Sequence, residues 1–359
     1  MGNRGDRSRG GRGSTRRDFL HTSCICAAGV GICGFAGIGA ACSTPPKTPD
    51  TPSDETLASA VRPGLGPNPT VAYRADPGVF AKNGHDDARV RALVNNAVTA
   101  LVDVKDPAEA FRALIEPNDV VAIKVNCLAG PGMSSSVSVV NALVLGLRSI
   151  GIQHRDIIIW ERSSAELERV GFKLNRHSDT APLCYGNDEG GFEKKIVTSG
   201  EVGSLWSNVL AHRASALINV PVLKDHDLSG VGCGMKNMYG AIHNPNRYHD
   251  NNCDPFVADV NAHPYVRDRL RLVLADALTA QYHGGPARVA SHQWRPGAVI
   301  AGADPVALDA VAKKIIEEER SRHGMATLKE SKRPPKWLET ASARGLGEHR
   351  IDKIRLDEG

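Results

Sequence analysis

The sequence predicts an α/β fold: a mostly parallel sheet with helices on both faces and long irregular insertions. Three observations carry this expectation. First, Asp119–Asn126 is a β-branched run of strand length, Val137–Ile150 is a helix ending at Gly151, and Asp156–Glu161 is a second strand. Strand, helix and strand in that order make a βαβ unit with parallel strands and a right-handed crossover. Second, these strands and the later Ala216–Leu223 are continuous apolar runs, the pattern of strands buried on both faces. Third, Val90, Leu93, Val94, Ala97, Val98 and Leu101 recur at three- and four-residue steps between Asp86 and Leu101, marking an amphipathic helix.

The remaining elements follow in order. Thr70–Tyr73 reads as a short edge strand, and Pro107–Ile115 as a short helix with proline at its start. Residues 171–203 are glycine-rich and irregular, and Leu205–His212 is a short helix. Residues 247–264 are polar and lack periodicity, as functional loops often do. Arg271–Ala275 and Gly297–Ala301 read as two more buried strands. Asp304 and Pro305 supply the N-cap and first residue of a helix over Val306–Glu319. Lys332–Lys336 reads as a surface turn and Ile351–Leu356 as a final short strand.

The organisation is a signal segment over 1–42, a Pro/Thr-rich linker over 43–68, an α/β domain over 69–325 and a C-terminal extension over 326–359. The formal charge of +4 is misleading, because the first seventeen residues hold six arginines against one aspartate. The rest is near neutral, so nothing global argues for nucleic acid. Arg16-Arg17, then Phe19-Leu20 and a weakly apolar glycine- and alanine-rich run over 24–41, resembles a twin-arginine export signal. A single membrane span is the competing reading, disfavoured by the shortage of large apolar side chains. The expected partner is therefore the twin-arginine translocase during export, and the expected location the periplasm or cell envelope. Gly39-Ala40-Ala41-Cys42 resembles a permissive lipobox, which would anchor the protein by lipid at Cys42; cleavage by ordinary signal peptidase is the alternative.

Past residue 42 the cysteines are Cys127, Cys184, Cys233 and Cys253, far apart and without a C-x-x-C pair, so no iron–sulfur or zinc-ribbon pattern is present. A Cys233–Cys253 disulfide and four unpaired buried cysteines are both open.

In an open parallel sheet, ligands bind beyond the carboxyl ends of the strands. Here those ends deliver Lys124 and Asn126, then Glu161 with Arg162 and Ser163, then Lys224, Asp225 and His226, and finally Asp276. Lys124 is either a structural ion pair with a carboxylate such as Glu161 or an anion-binding group. His226 is either a general acid/base or a metal ligand. His226, His243 and His249, among Asp225, Asp227, Asp250, Asp254 and His263, form the densest ligand cluster; they are either a solvated polar surface or a site suited to a divalent transition metal, although no familiar metal spacing is present. Lys236 and Asn237, bracketed by glycines, read as a short helix facing the cleft. Ser134–Ser136 at the start of a helix offers backbone N–H groups to an anion or is simply a cap.

Val120–Asn126, Asn219–His226, Gly234–Gly240 and Ala303–Asp309, in this order and spacing, resemble the family known as domain of unknown function 362, over roughly residues 70–320. The resemblance implies an α/β domain with Lys124, Asn126, Lys224, His226, Lys236, Asn237, Asp304 and Asp309 at signature positions, and supplies no activity. Some members carry a ferredoxin-like cluster domain, whose cysteines are not in this chain. Asp225 stands where Thr or Ser is common.

The function expected is an enzyme acting on a small anionic ligand, with a divalent metal as a candidate cofactor. Lys224, His226 and Glu161 would be catalytic, and Lys124, Asn126, Lys236 and Asn237 would bind the ligand. The alternatives are a non-catalytic metal- or anion-binding envelope protein and a scaffold whose charges form an internal network.

Overall fold

The computed structural model describes residues 68–177 and 180–359. The twin-arginine segment, Cys42 and all but the last residue of the linker lie outside the described residues. Among the described residues, no helix is long and apolar enough to cross a membrane.

In chain order the elements that matter are β1 (Thr70–Ala75), α1 (Asp87–Val102), α2 (Pro107–Leu114), β2 (Val121–Val125), α3 (Val137–Ser149), β3 (Ile157–Glu161), β4 (Leu183–Gly186), β5 (Ala216–Val220) and β6 (Val222–His226). They continue with α4 (Gly234–Asn237), α5 (Phe256–Ala262), β7 (Leu270–Gln281), β8 (Ala298–Gly302), α6 (Pro305–Arg322), α7 (Trp337–Ala343) and β9 (Arg355–Glu358). The sheet runs β9-β1-β8-β7-β5-β2-β3-β4, with β6 carrying on along β7. From β7 to β4 every neighbouring pair is parallel, while β8 is antiparallel to both β7 and β1.

Period-2 alternation splits the core into two layers. Val121, Ile123, Ile157, Ile159, Ala216 and Ile218 face one side and pack with the apolar stripes of α1, α2 and α3. Ala122, Ile158, Trp160, Leu217 and Val273 face the other and pack with α5, α6 and α7. Helices therefore cover both faces, as the unalternating strands require. The Asp304 cap agrees with the sequence reading, its Oδ1 accepting from Val306 N at 2.8 Å and Ala307 N at 2.9 Å, and Asp86 likewise caps α1.

Several expectations are corrected. The strand read over Ala216–Leu223 is two strands, because Pro221 has no N–H for the ladder. β5 pairs with β2 and β7, whereas β6 pairs with β7 only on that sheet. Thr70–Tyr73 is not at an edge, since β9 covers it in parallel register. Val209–Arg213 forms a π turn where an α-helix was expected. Ile351–Lys353 is a 3-10 turn, and the last strand begins at Arg355. The Lys332–Lys336 turn is not purely superficial: Arg333 and Pro335 are buried in it. The extension over 326–359 is bound into the core by Trp337 Nε1, which donates to Ser229 O at 3.1 Å, and by β9. All four described cysteines are free and buried, so the Cys233–Cys253 bridge is not formed.

Candidate functional site

β2, β3 and β6 bring their carboxyl ends to one cavity of about 190 Å³. Alternation places Lys124 and Asn126 on one face of the chain leaving β2, and Lys224 and His226 on one face of β6, with Asp225 pointing the opposite way. The cavity is lined by Asn126, Glu161, Arg162, Lys224, His226, Lys236, Asn237 and His249, with Leu128, Tyr239, Pro245 and Pro286 as its apolar wall. Of the predicted strand-end groups, Asn126, Glu161, Arg162, Lys224 and His226 thus meet at the cavity, whereas Lys124, Ser163, Asp225 and Asp276 do not line it. Asp276 lies inside β7, and its Oδ2 accepts from Ser136 N at 2.7 Å. A carboxylate of the chain itself occupies the N-terminus of α3, so the Ser134–Ser136 loop is a capped helix start.

α4 is a single turn that presents Lys236 and Asn237. Both oxygens of buried Asp309 hold its start, accepting from Gly234 N at 2.7 Å and Met235 N at 2.8 Å. Burial nevertheless pushes this carboxyl up to about 7, against the lowering effect of those two bonds.

A chain of amides crosses the floor. Lys224 Nζ donates to Asn126 Oδ1 at 2.8 Å, Asn126 Nδ2 to Asn237 Oδ1 at 3.0 Å, and Asn237 Nδ2 to Asn219 Oδ1 at 2.7 Å. Asn219 Nδ2 ends the series on Gly234 O at 2.7 Å. Each amide has one orientation that serves both neighbours, so the chain runs one way and fixes Lys224 at its head.

The three lysines differ. Lys124 is wholly buried, and its Nζ meets Glu161 Oε1 at 2.8 Å and Val125 O at 2.6 Å. The other oxygen of Glu161 accepts from the backbone N–H of Arg162. This is the structural ion pair among the two readings of Lys124, and it commits both oxygens of Glu161. Gly240 makes room for it, since a Cβ there would stand 2.8 Å from Lys124 Nζ. Lys224 and Lys236 have no carboxylate partner among the described residues, and burial lowers both to about 8. Lys236 Nζ lies 3.7 Å over the Tyr239 ring and 3.0 Å from His249 Nε2.

His226 Nδ1 accepts from the backbone N–H of Leu228 at 3.1 Å and of Ser229 at 3.2 Å. The ring proton of the neutral imidazole is therefore assigned to Nε2 by its hydrogen bonds. Burial, then Lys236, His249 and Lys224, push this imidazole down to about 2. What His226 offers at neutral pH is an uncharged N–H donor, and its one free lone pair is already used. His249 stacks on it with centroids 5.8 Å apart. His243 is exposed and packs edge-on against Phe192, outside the cavity lining, so the structure does not bring the expected metal trio together.

Among the described residues, three potential metal ligands approach within 4.8 Å of one another at Asp225, Asp227 and His283. A guanidinium stands among them. Arg333 Nη1 is 2.7 Å from Asp225 Oδ2 and 3.7 Å from Asp227 Oδ1, and its Nη2 is 3.1 Å from His283 Nδ1. The resident cation of this group is an arginine, and the group fits an ion only if Arg333 withdraws.

The sequence reading missed Asn219, Tyr239 and Arg333. Asn219 carried a signal, a single amide inside an otherwise apolar strand. Arg333 carried none, being separated from its partner by 108 residues.

The spacing of the lysines, amides and aspartates now has a counterpart. Residues 121–314 match the family model described as "Domain of unknown function (DUF362)". The chain belongs to the DUF362 family. Every lining group on β2, β3, β6 and α4 falls inside the DUF362 match, whereas Arg333 lies beyond it. The comparison with curated proteins finds no match. Two solved structures are similar: a protein from Thermotoga maritima, at 10% identity and TM-score 0.42 over 67% of this chain and 60% of that one, and the lactate racemase apoprotein from Thermoanaerobacterium thermosaccharolyticum, at 13% and 0.42 over 69% and 57%. This DUF362 chain covers less than two thirds of either.

Proposed function

We propose that this DUF362 protein is an enzyme that binds a small organic anion in the cavity and moves a proton on it. One observation carries the reading: two buried ammonium groups, Lys224 and Lys236, share one small cavity without a carboxylate partner. Buried lysines are rare unless paired, so the missing counter-charge is supplied by the ligand. His226 adds an uncharged N–H donor, and Asn126 and Asn237 hold the floor rigid. A lysine near 8 is balanced between its acid and base forms at working pH, which suits proton transfer. Glu161 and Lys124 form the wall beneath and do not touch the reacting atoms. No metal is assigned to the cavity, because the Nδ1 lone pair of His226 is taken by backbone donors.

The test is a thermal-shift series with small mono- and dicarboxylates and inorganic phosphate, followed by proton NMR of any stabilising compound for solvent exchange or turnover. Stabilisation that vanishes in Lys224→Met and Lys236→Met supports the reading. No stabilisation by any anion would sink it. Stabilisation without exchange or turnover would instead mark a binding protein.

We further infer export by the twin-arginine route with lipid attachment at Cys42, supported by Arg16-Arg17 and the Gly39–Cys42 stretch. Replacing both arginines by lysine should hold the protein in the cytoplasm. A palmitate analogue should label the wild type and not Cys42→Ala; label on neither removes the lipid anchor.

A further inference from the structure

We propose that Lys224 forms an imine with a small 2-oxo acid, its buried amine sharing the cavity with a second lysine and having no carboxylate within ion-pair distance among the described residues. The proposal rests on the anion-binding reading and names the substrate class.

The two unpaired lysines are built for different tasks. Lys236 sits on the Tyr239 ring at 3.7 Å and against His249 Nε2 at 3.0 Å. A ring face and a ring nitrogen lone pair both favour a positive charge. Lys224 has neither. The residue is 2% exposed. One N–H goes to Asn126 Oδ1, and among the described residues its nitrogen makes no other hydrogen bond. The amide chain fixes that nitrogen in place and leaves its remaining valences for a ligand. Burial favours the neutral amine, which is the nucleophile, and outweighs the opposing pull of Glu161, whose nearer oxygen is bound to Lys124. The acid's carboxylate is then met by Lys236 and the Nε2–H of His226, and its ketone faces Lys224.

The step balances without an added reactant. The amine nitrogen attacks the carbonyl carbon, a C–N bond forms, and the π pair moves onto oxygen. One proton passes from nitrogen to that oxygen, and Lys236 gives the hydroxyl a second. The C–O bond then breaks, the oxygen leaves as water, and the remaining proton of the former amine returns to Lys236, leaving the imine. The C=N group withdraws electrons from the neighbouring carbon and makes its protons removable, which is the proton transfer proposed for the site.

The experiment incubates the whole protein with glyoxylate, pyruvate or 2-oxoglutarate and cyanoborohydride, then maps lysine peptides by mass. The expected result is a secondary amine on Lys224, adding the mass of the acid less one oxygen atom, and absent from Lys224→Arg. Label only on other lysines, or undiminished labelling of Lys224→Arg, overturns the proposal. Should that variant fold poorly by circular dichroism, localisation in the wild type decides. Propionate, which has the carboxylate and lacks the ketone, separates the two claims. Stabilisation by these acids and by propionate with no adduct ends the imine and leaves anion binding standing. Neither stabilisation nor adduct ends both.

Discussion

Arg333 donates from Nη1 to Oδ2 of Asp225 at 2.7 Å, joining two buried residues 108 positions apart. The same nitrogen donates to His226 O at 3.0 Å, and Gly285 N satisfies the other oxygen of Asp225 at 2.8 Å. The outward face of β6 is therefore held by charge while its inward face presents Lys224 and His226. Removing Arg333 leaves a buried carboxylate uncompensated, a change that costs about 3–5 kcal/mol. Arg333→Ala should lower the urea midpoint accordingly, and Asp225→Asn combined with it should recover part of the loss. A midpoint change within about 0.5 kcal/mol, the range of ordinary surface substitutions, would show that the pair is not what anchors β6.

Lys224 gives the protein a distinctive alkaline response. Its pKa is about 8 folded against 10.5 as the ordinary value. Between those limits the unfolded chain binds more protons than the folded one, so stability rises with pH. The burden is complete below about 8 and gone above 10.5. Urea midpoints taken across this window should climb more steeply in the wild type than in Lys224→Met. Equal slopes would mean that Lys224 is not desolvated.

A bound anion reverses that preference, since it favours the ammonium forms of Lys224 and Lys236, both lowered to about 8. Affinity for a carboxylate should be flat below that pH and fall as pH rises through it. Calorimetric titrations at two buffer ionisation enthalpies should also detect proton uptake on binding. Affinity that increases with pH contradicts the site.

His226 should show no titration near its ordinary value of 6.5, since burial pushes it down to about 2. Histidine NMR spectra recorded down to mildly acidic pH should keep one resonance set in the Nε2–H tautomer. A midpoint near 6.5 would restore the general-base reading of this residue.

Asp309 should matter to binding without touching the ligand. Asp309→Ala orphans the N–H groups of Gly234 and Met235, worth about 1–3 kcal/mol each when left unsatisfied in the interior. Stability should drop, and anion affinity should drop further because Lys236 and Asn237 ride on that turn. Affinity unchanged in a folded Asp309→Ala would separate the cap from the site.

Much of the candidate site was legible because strand ends are legible. An apolar run that closes in Lys124-Val125-Asn126 or Lys224-Asp225-His226 declares where the chain leaves the core, and parallel topology sends those ends to one edge. The roles were not legible. Glu161 reads as a catalytic carboxylate until both its oxygens are seen to be bonded, and His226 reads as a base until two backbone N–H groups occupy Nδ1. His243 and His249 look equivalent in sequence, yet one lines the cavity and the other packs on Phe192.

By itself the sequence determined the α/β class, the βαβ unit, the cap at Asp304, and the edge where the polar groups collect, since all of these follow from local periodicity and chain direction. The tertiary structure alone decided which lysine is paired and which is not, that Asp276 fills the N-terminus of α3, and that Arg333 stands among Asp225, Asp227 and His283. Those outcomes depend on distances between residues far apart in the chain. Burial and hydrogen-bond partnership, which set charge state and chemistry, exist only once such residues have been brought together.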